Sequence, residues 1–156
     1  METILRLISG GKSLALDAVD GTETLADAKD TFAWIDSDFK NWGADEKGPA
    51  TKETPVDVHE MTKDAFFSQI FGSLNSDVRQ LCLTQHQIKK FVRKYRNWLR
   101  TDGYGTFFLF ESRGNFFVAD VRFRSVDELG VHVRQFEYSV VWRAEGRRRV
   151  VVPQLA

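Results

Sequence analysis

The pattern of apolar residues predicts an α+β domain: a C-terminal antiparallel β-meander packed against a basic amphipathic helix, with an N-terminal β-hairpin and short helices. Three observations carry this reading. Ile88, Phe91, Val92, Tyr95, Trp98 and Leu99 recur at the three-and-four spacing of a single helix face. Residues 104–112 and 116–124 are apolar runs flanking the turn Arg113-Gly114-Asn115. The chain has 156 residues, 42% of them hydrophobic, which suits one domain with a sizeable core.

Taken in order, Ile4, Leu5, Leu7 and Ile8 form a short apolar strand ended by Gly10-Gly11, and Leu14 and Leu16 then alternate. Residues 2–18 therefore read as a hairpin. Asp20-Gly21 is a turn, after which Thr22 or Thr24 caps a short helix through Leu25, Ala28 and Phe32. Residues 43–55, rich in Gly, Pro and charge, are an exposed loop within the domain. Val56, Val58 and Met61 alternate as a strand, and Phe66, Phe67, Ile70, Phe71 and Leu74 have helical spacing over 63–73. A further turn through Val78, Leu81 and Leu83 leads to Thr84 and Gln87, a capping box that opens a helix over about 85–100. Asp102-Gly103 closes it. Strands at 104–112, 116–124, about 130–142 and 147–152 complete the meander, with a bulge expected near Gln135. Phe91, Trp98, Phe117, Val121 and Phe123 are the expected core.

Charge is segregated along the chain. Residues 1–78 hold 7 Lys/Arg against 15 Asp/Glu, and residues 79–156 hold 15 against 7, so a net of −8 is followed by +8. Such a molecule is suited to binding through charge, unless its halves neutralise each other. The single cysteine, Cys82, lies between Leu81 and Leu83 and offers no internal disulfide, which fits a reducing compartment. Met1-Glu2-Thr3-Ile4-Leu5-Arg6 lacks the form of a secretory signal, and no apolar run is long enough to span a bilayer. A cytoplasmic protein without membrane association is expected.

The helix opposes its apolar stripe with Lys89, Lys90, Arg93, Lys94, Arg96 and Arg100, and no acid lies between Thr84 and Thr101. Like charges on one helix repel, so these six either meet acids of the first half or await an anionic partner. On the sheet, period-two alternation puts Phe116, Val118, Asp120, Arg122 and Arg124 on one face and Phe117, Ala119, Val121 and Phe123 on the other. His132, Arg134, Phe136 and Tyr138 share a face of the next strand. Where those polar faces coincide, arginines and aromatics interleave, which suits phosphates and stacked bases. Arg147-Arg148-Arg149 adds basic residues, although three consecutive strand positions cannot point one way.

The expected function is thus non-catalytic binding with a nucleic acid partner favoured, through Lys89, Lys90, Arg93, Lys94, Arg96, Arg100, Arg122, Arg124 and Arg134. An acidic protein partner suits the same surface. A rival is a protein-interaction or inhibitor module using Asp17, Asp20, Glu23, Asp27, Asp30, Asp36 and Asp38, carboxylates that can imitate a phosphate backbone. A metal-dependent enzyme stands third, on Asp36, Asp38 and Lys40. His59, His86 and His132 lack metal-ligand spacing. Ser9-Gly10-Gly11-Lys12-Ser13 lacks the spacing of a phosphate loop, and Gly103-Tyr104-Gly105 opens a strand rather than a helix. No catalytic residue and no cofactor is assigned.

Three strings resemble a family of small uncharacterised proteins of uncultivated bacteria: Asp36-Ser37-Asp38-Phe39-Lys40-Asn41-Trp42-Gly43, residues 98–108 from Trp98 to Phe108, and residues 150–155 from Val150 to Leu155. The resemblance covers nearly the whole chain. It implies a single intact domain and brings no activity, cofactor or site with it.

Overall fold

Residues rich in Val, Phe and alternating apolar positions pair into eight strands, and the computed structural model describes residues 3–154. The strands are β1 (Leu5–Leu7), β2 (Ala15–Leu16), β3 (Trp34–Ile35), β4 (Thr54–Met61), β5 (Thr106–Ser112), β6 (Asn115–Ser125), β7 (Glu128–Gln135) and β8 (Arg149–Pro153). They form one mostly antiparallel sheet in the order β1-β4-β8-β5-β6-β7-β3, with β2 also beside β4. Three helices accompany it: α1 (Asp38–Asn41), α2 (Phe67–Gly72) and α3 (Gln85–Lys94).

The expected meander describes β5, β6 and β7. Arg113 and Gly114 have φ of 51° and 80°, the left-handed pair that closes a two-residue hairpin and sets Ser112 opposite Asn115. The fourth strand departs from expectation. Residues after Gln135 leave the sheet, and β8 lies between β4 and β5, antiparallel to the first and parallel to the second. Its sequence explains the slot. Val150 and Val152 enter one core and Val151 the other, so only a central position buries both faces. The register shift lies at Phe123–Ser125 rather than near Gln135.

The N-terminal hairpin does not form. β1 and β2 both pair antiparallel with β4, because its eight residues offer edge enough for two short strands. A turn at Ser9–Lys12 moves the chain along that edge, and Ser9 Oγ accepts from Val58 N at 2.8 Å. Residues 25–32 form successive turns instead of a helix. Leu25 N is drawn away to Gln85 Oε1 at 3.0 Å, while Leu25, Ala28 and Phe32 remain buried. The 43–53 loop is held down: Val19 bridges Thr51, Ala44 is buried, and a Cβ on Gly21 (φ +82°) would meet Pro49 O at 2.2 Å.

The capping box is present, with Gln87 N donating to Thr84 Oγ1 and Thr84 N donating to Gln87 Oε1. α3 nevertheless stops at Lys94, short of the expected residue 100, and a 3-10 turn follows over Arg96–Trp98. Tyr95 ends the helix with φ −119° and ψ 41°, its hydroxyl tied to the Ala15 backbone. Phe91, Phe117 and Val121 are buried as expected, whereas Trp98 and Phe123 pack half-buried against the core.

Both sheet faces are apolar over the centre. One packs Phe108, Phe110, Phe117, Val131 and Val151 against α3 and the N-terminal segment. The other packs Phe107, Leu109, Val118 and Val150 against Phe67, Ile70 and Phe71 of α2 and against Trp142. Beyond Val118 this second face turns polar, across β6, β7 and β3.

Candidate nucleic-acid interface

Two basic surfaces were expected, and the chain treats them differently. On α3 the cations meet the acidic N-terminal segment. Lys89 is buried and paired with Glu23 and, at 3.0 Å, with Asp30. Arg93 lies 2.8 Å from Asp30, and Lys94 lies 3.9 Å from Asp17. His86 joins this seam: Gly21 N donates to its Nδ1 at 3.2 Å, and its Nε2 stands 2.7 Å from Glu23. Burial opposes the charge of Lys89, but the Glu23 and Asp30 carboxylates outweigh it and hold its pKa above the ordinary lysine value. The same hydrogen bonds hold Glu23 and Asp30 below theirs. Arg96 and Arg100 lie beyond the helix end. Arg96 donates to Asp127 O at 2.9 Å and stacks on Phe123, and Arg100 pairs with Asp102. Lys90 is exposed.

The sheet face is built on alternation. Register sets Asp120 opposite His132, Val118 opposite Arg134 and Arg122 opposite Gly130, so Asp120, Arg122, His132 and Arg134 share one side. β3 adds Trp34 through the parallel pairing of Trp34 with Gly130. Asp120 is fully buried and accepts from Arg122 Nε at 3.1 Å and Nη2 at 2.8 Å. Arg134 Nη2 stands 3.8 Å from the same carboxylate. Arg148, brought in by the stretch before β8, lies over Tyr104 at 5.2 Å and over Trp142 at 4.9 Å. Burial, reinforced by Arg122, pulls the Arg148 pKa below the usual guanidinium value. Three guanidiniums, of Arg122, Arg134 and Arg148, therefore gather near one carboxylate, and Arg124 extends the row along β6.

Arg124 rests on a ring alone, whereas Arg134 adds its rings to the 3.8 Å ion pair with Asp120. Arg124 lies over Trp34 at 5.4 Å, and Arg134 over Tyr138 at 5.9 Å and Trp142 at 5.8 Å. Among the described residues neither donates a hydrogen bond, so their planar forks are held in place yet unspent. His132 completes the surface, its ring 4.6 Å from that of Trp34. Burial keeps the His132 pKa below the ordinary value, and Arg134 and Arg122 add to this against Asp120 and Asp36.

The carboxylates considered for metal chemistry are engaged in local hydrogen bonds. Asp36 accepts from Asp38 N at 2.9 Å and Val133 N at 3.2 Å, and Asp38 accepts from Asn41 Nδ2 at 3.1 Å. Among the described residues no group of three or more His, Cys, Asp or Glu could hold a metal ion, and no helix is long and apolar enough to cross a membrane.

Sequence reasoning missed Trp34, Tyr104, Trp142 and the individual part of Arg148. The signal for Arg148 was the triple-arginine run. The run diverges because only Arg149 is in β8: Arg149 turns to Trp98 O at 2.8 Å, while Arg147 is exposed in the left-handed region at φ 46°. No signal announced the rings, because they come from three distant segments. No protein-family model, curated protein or solved structure matches this chain.

Proposed function

We propose that the protein is a non-catalytic nucleic-acid-binding protein, and that its interface is the arginine–aromatic sheet face rather than α3. The observation that carries this reading is Arg124, stacked on Trp34 with no hydrogen bond or ion pair among the described residues, beside Arg134, which lies over Tyr138 and Trp142 and donates no hydrogen bond. Arg124 is thus positioned without being neutralised, Arg134 shares one carboxylate with Arg122, and the fork of each matches a phosphate. Arg122 and Arg148 raise the local positive charge, since Asp120 offsets only one of the four. The helix cations contribute less: Lys89, Arg93 and Lys94 face Glu23, Asp30 and Asp17. Those same contacts leave the inhibitor reading less support, because the acids it needs are engaged.

The test is equilibrium binding to short DNA and RNA across a salt series from about 50 mM to about 300 mM. Binding should weaken steeply with salt. Arg124→Glu/Arg134→Glu should remove it, and Lys90→Glu should reduce it by a few-fold at most. Absence of binding at low salt by the folded protein would overturn the reading.

A further inference from the structure

The arginine face ends, at the C-terminal edge of β7, in a hollow of about 420 Å³ lined by Trp42, Arg134, Gln135, Glu137, Tyr138 and Ser139. Its two aromatic walls are unusual in this chain. Trp42 is 40% exposed and Tyr138 41%, while most other large rings are buried. Trp42 makes no ring or cation contact with any described residue, and a second hollow, also bordered by Gln135 and Glu137, opens beside it. Tyr138 is backed by Arg134, whose guanidinium lies 5.9 Å from its ring centroid.

Position follows from the fold. Asp36 accepts from Val133 N and so ties the β3–α1 connection to β7, which brings Trp42, just after α1, level with the end of that strand. The chain leaves the sheet at Gln135, and Tyr138 N donates to Gln135 O at 3.0 Å, closing a turn that sets the tyrosine on the other rim.

We infer that this hollow takes one unstacked nucleobase, and that the interface therefore selects single strands over duplexes. The inference rests on the proposed function and deepens it. An exposed indole and phenol bordering one small hollow offer stacking area, which every base satisfies with its π-face. Arg134 at the rim reaches the adjoining phosphate. Glu137 argues for a base inside: a carboxylate repels phosphate, but it accepts from the exocyclic amine of cytosine, adenine or guanine. A base held in a duplex cannot enter without leaving its stack.

The experiment measures fluorescence-anisotropy affinity for three fluorescein-labelled probes at one salt concentration: a mixed-sequence single strand, its duplex, and an abasic strand of equal length. Wild type should bind the base-bearing strand at least about tenfold more tightly than the abasic one or the duplex. Trp42→Ala and Tyr138→Ala should bring the base-bearing strand down to the abasic level. Trp42→Phe should retain most of the preference, and because Trp42 and Tyr138 are both exposed all three variants should unfold at the wild-type temperature. Equal wild-type affinity for abasic and base-bearing strands, with Arg134→Glu abolishing both, would overturn the base pocket while leaving phosphate binding intact. No binding to any probe would remove the nucleic-acid reading itself and the pocket with it.

Discussion

A Cβ on Gly105 would stand 1.9 Å from Asp120 Oδ1, so a glycine at 105 is what admits the buried carboxylate beneath the arginine face. Both ends of the arrangement matter, because among the described residues Asp120 is the only acid that hydrogen-bonds Arg122, and it also pairs with Arg134. Gly105→Ala should displace the carboxylate and cost about 3 kcal/mol, the usual penalty for breaking a buried ion pair. Urea unfolding of the variant would measure it. A loss below about 1 kcal/mol would mean that the strand yields without disturbing Asp120.

Asp120→Asn tests the pair from the other side. It keeps the volume but leaves the half-buried Arg122 without a counter-charge, so stability should fall by a similar ~3 kcal/mol. Doubling it with Arg122→Met should recover part of the loss, since a charge with no partner is then gone. Additive losses would place the cost elsewhere than in the pair.

His132 should report the ligand. Its pKa is held down by burial and by Arg134 and Arg122, so the folded state favours the neutral ring. A depressed folded value means that this contribution to stability is present above the unfolded value, about 6.5, and is lost as pH falls from there through the depressed folded value. Phosphate neutralising the two arginines should raise the His132 pKa. NMR titration of the imidazole with and without a saturating oligonucleotide would show the upward shift; an unchanged pKa would put the phosphates away from β7.

The seam between α3 and the N-terminal acids should be acid-sensitive. Glu23 and Asp30 are held below their ordinary values chiefly by hydrogen bonds from Lys89. Their contribution is therefore present above the unfolded carboxylate values and lost as pH falls through the depressed ones. Lys89→Met should flatten the decline in stability between about pH 6 and about pH 3 relative to wild type. Parallel declines in chemical denaturation would show that other carboxylates set the acid limb.

Cys82 should be inert in the folded protein. Burial, aided by Glu111, pushes its thiol up to about 12 against the pull of Arg79. Thiolate is the reactive form, so alkylation of the native chain near neutral pH should be slow and should accelerate in urea. Rapid labelling of the native chain would contradict this placement.

The local signals were legible where neighbours in sequence are neighbours in space. Thr84 and Gln87 marked the start of α3, Arg113-Gly114 closed the β5–β6 hairpin, and alternation placed Asp120 and Arg122 on one face of β6, which the register then joined to Arg134 of β7. The end of α3 was not legible. The apolar stripe continues through Trp98 and Leu99, but the Tyr95 hydroxyl is bound to Ala15, eighty residues earlier, and the helix gives way there.

By itself, then, the sequence determined the periodicities: which residues turn inward on a strand, where a helix is capped, and how the charges divide between the two halves. Only the tertiary structure decided how those pieces meet. It set β8 between β4 and β5, spent the α3 cations on Glu23, Asp30 and Asp17, and set Trp34 against Arg124 and Tyr104 and Trp142 against Arg148. The physical reason is range. Periodicity is enforced by backbone geometry within a few residues, whereas strand order and charge pairing depend on burial and Coulomb attraction between segments tens of residues apart, which a linear pattern does not encode.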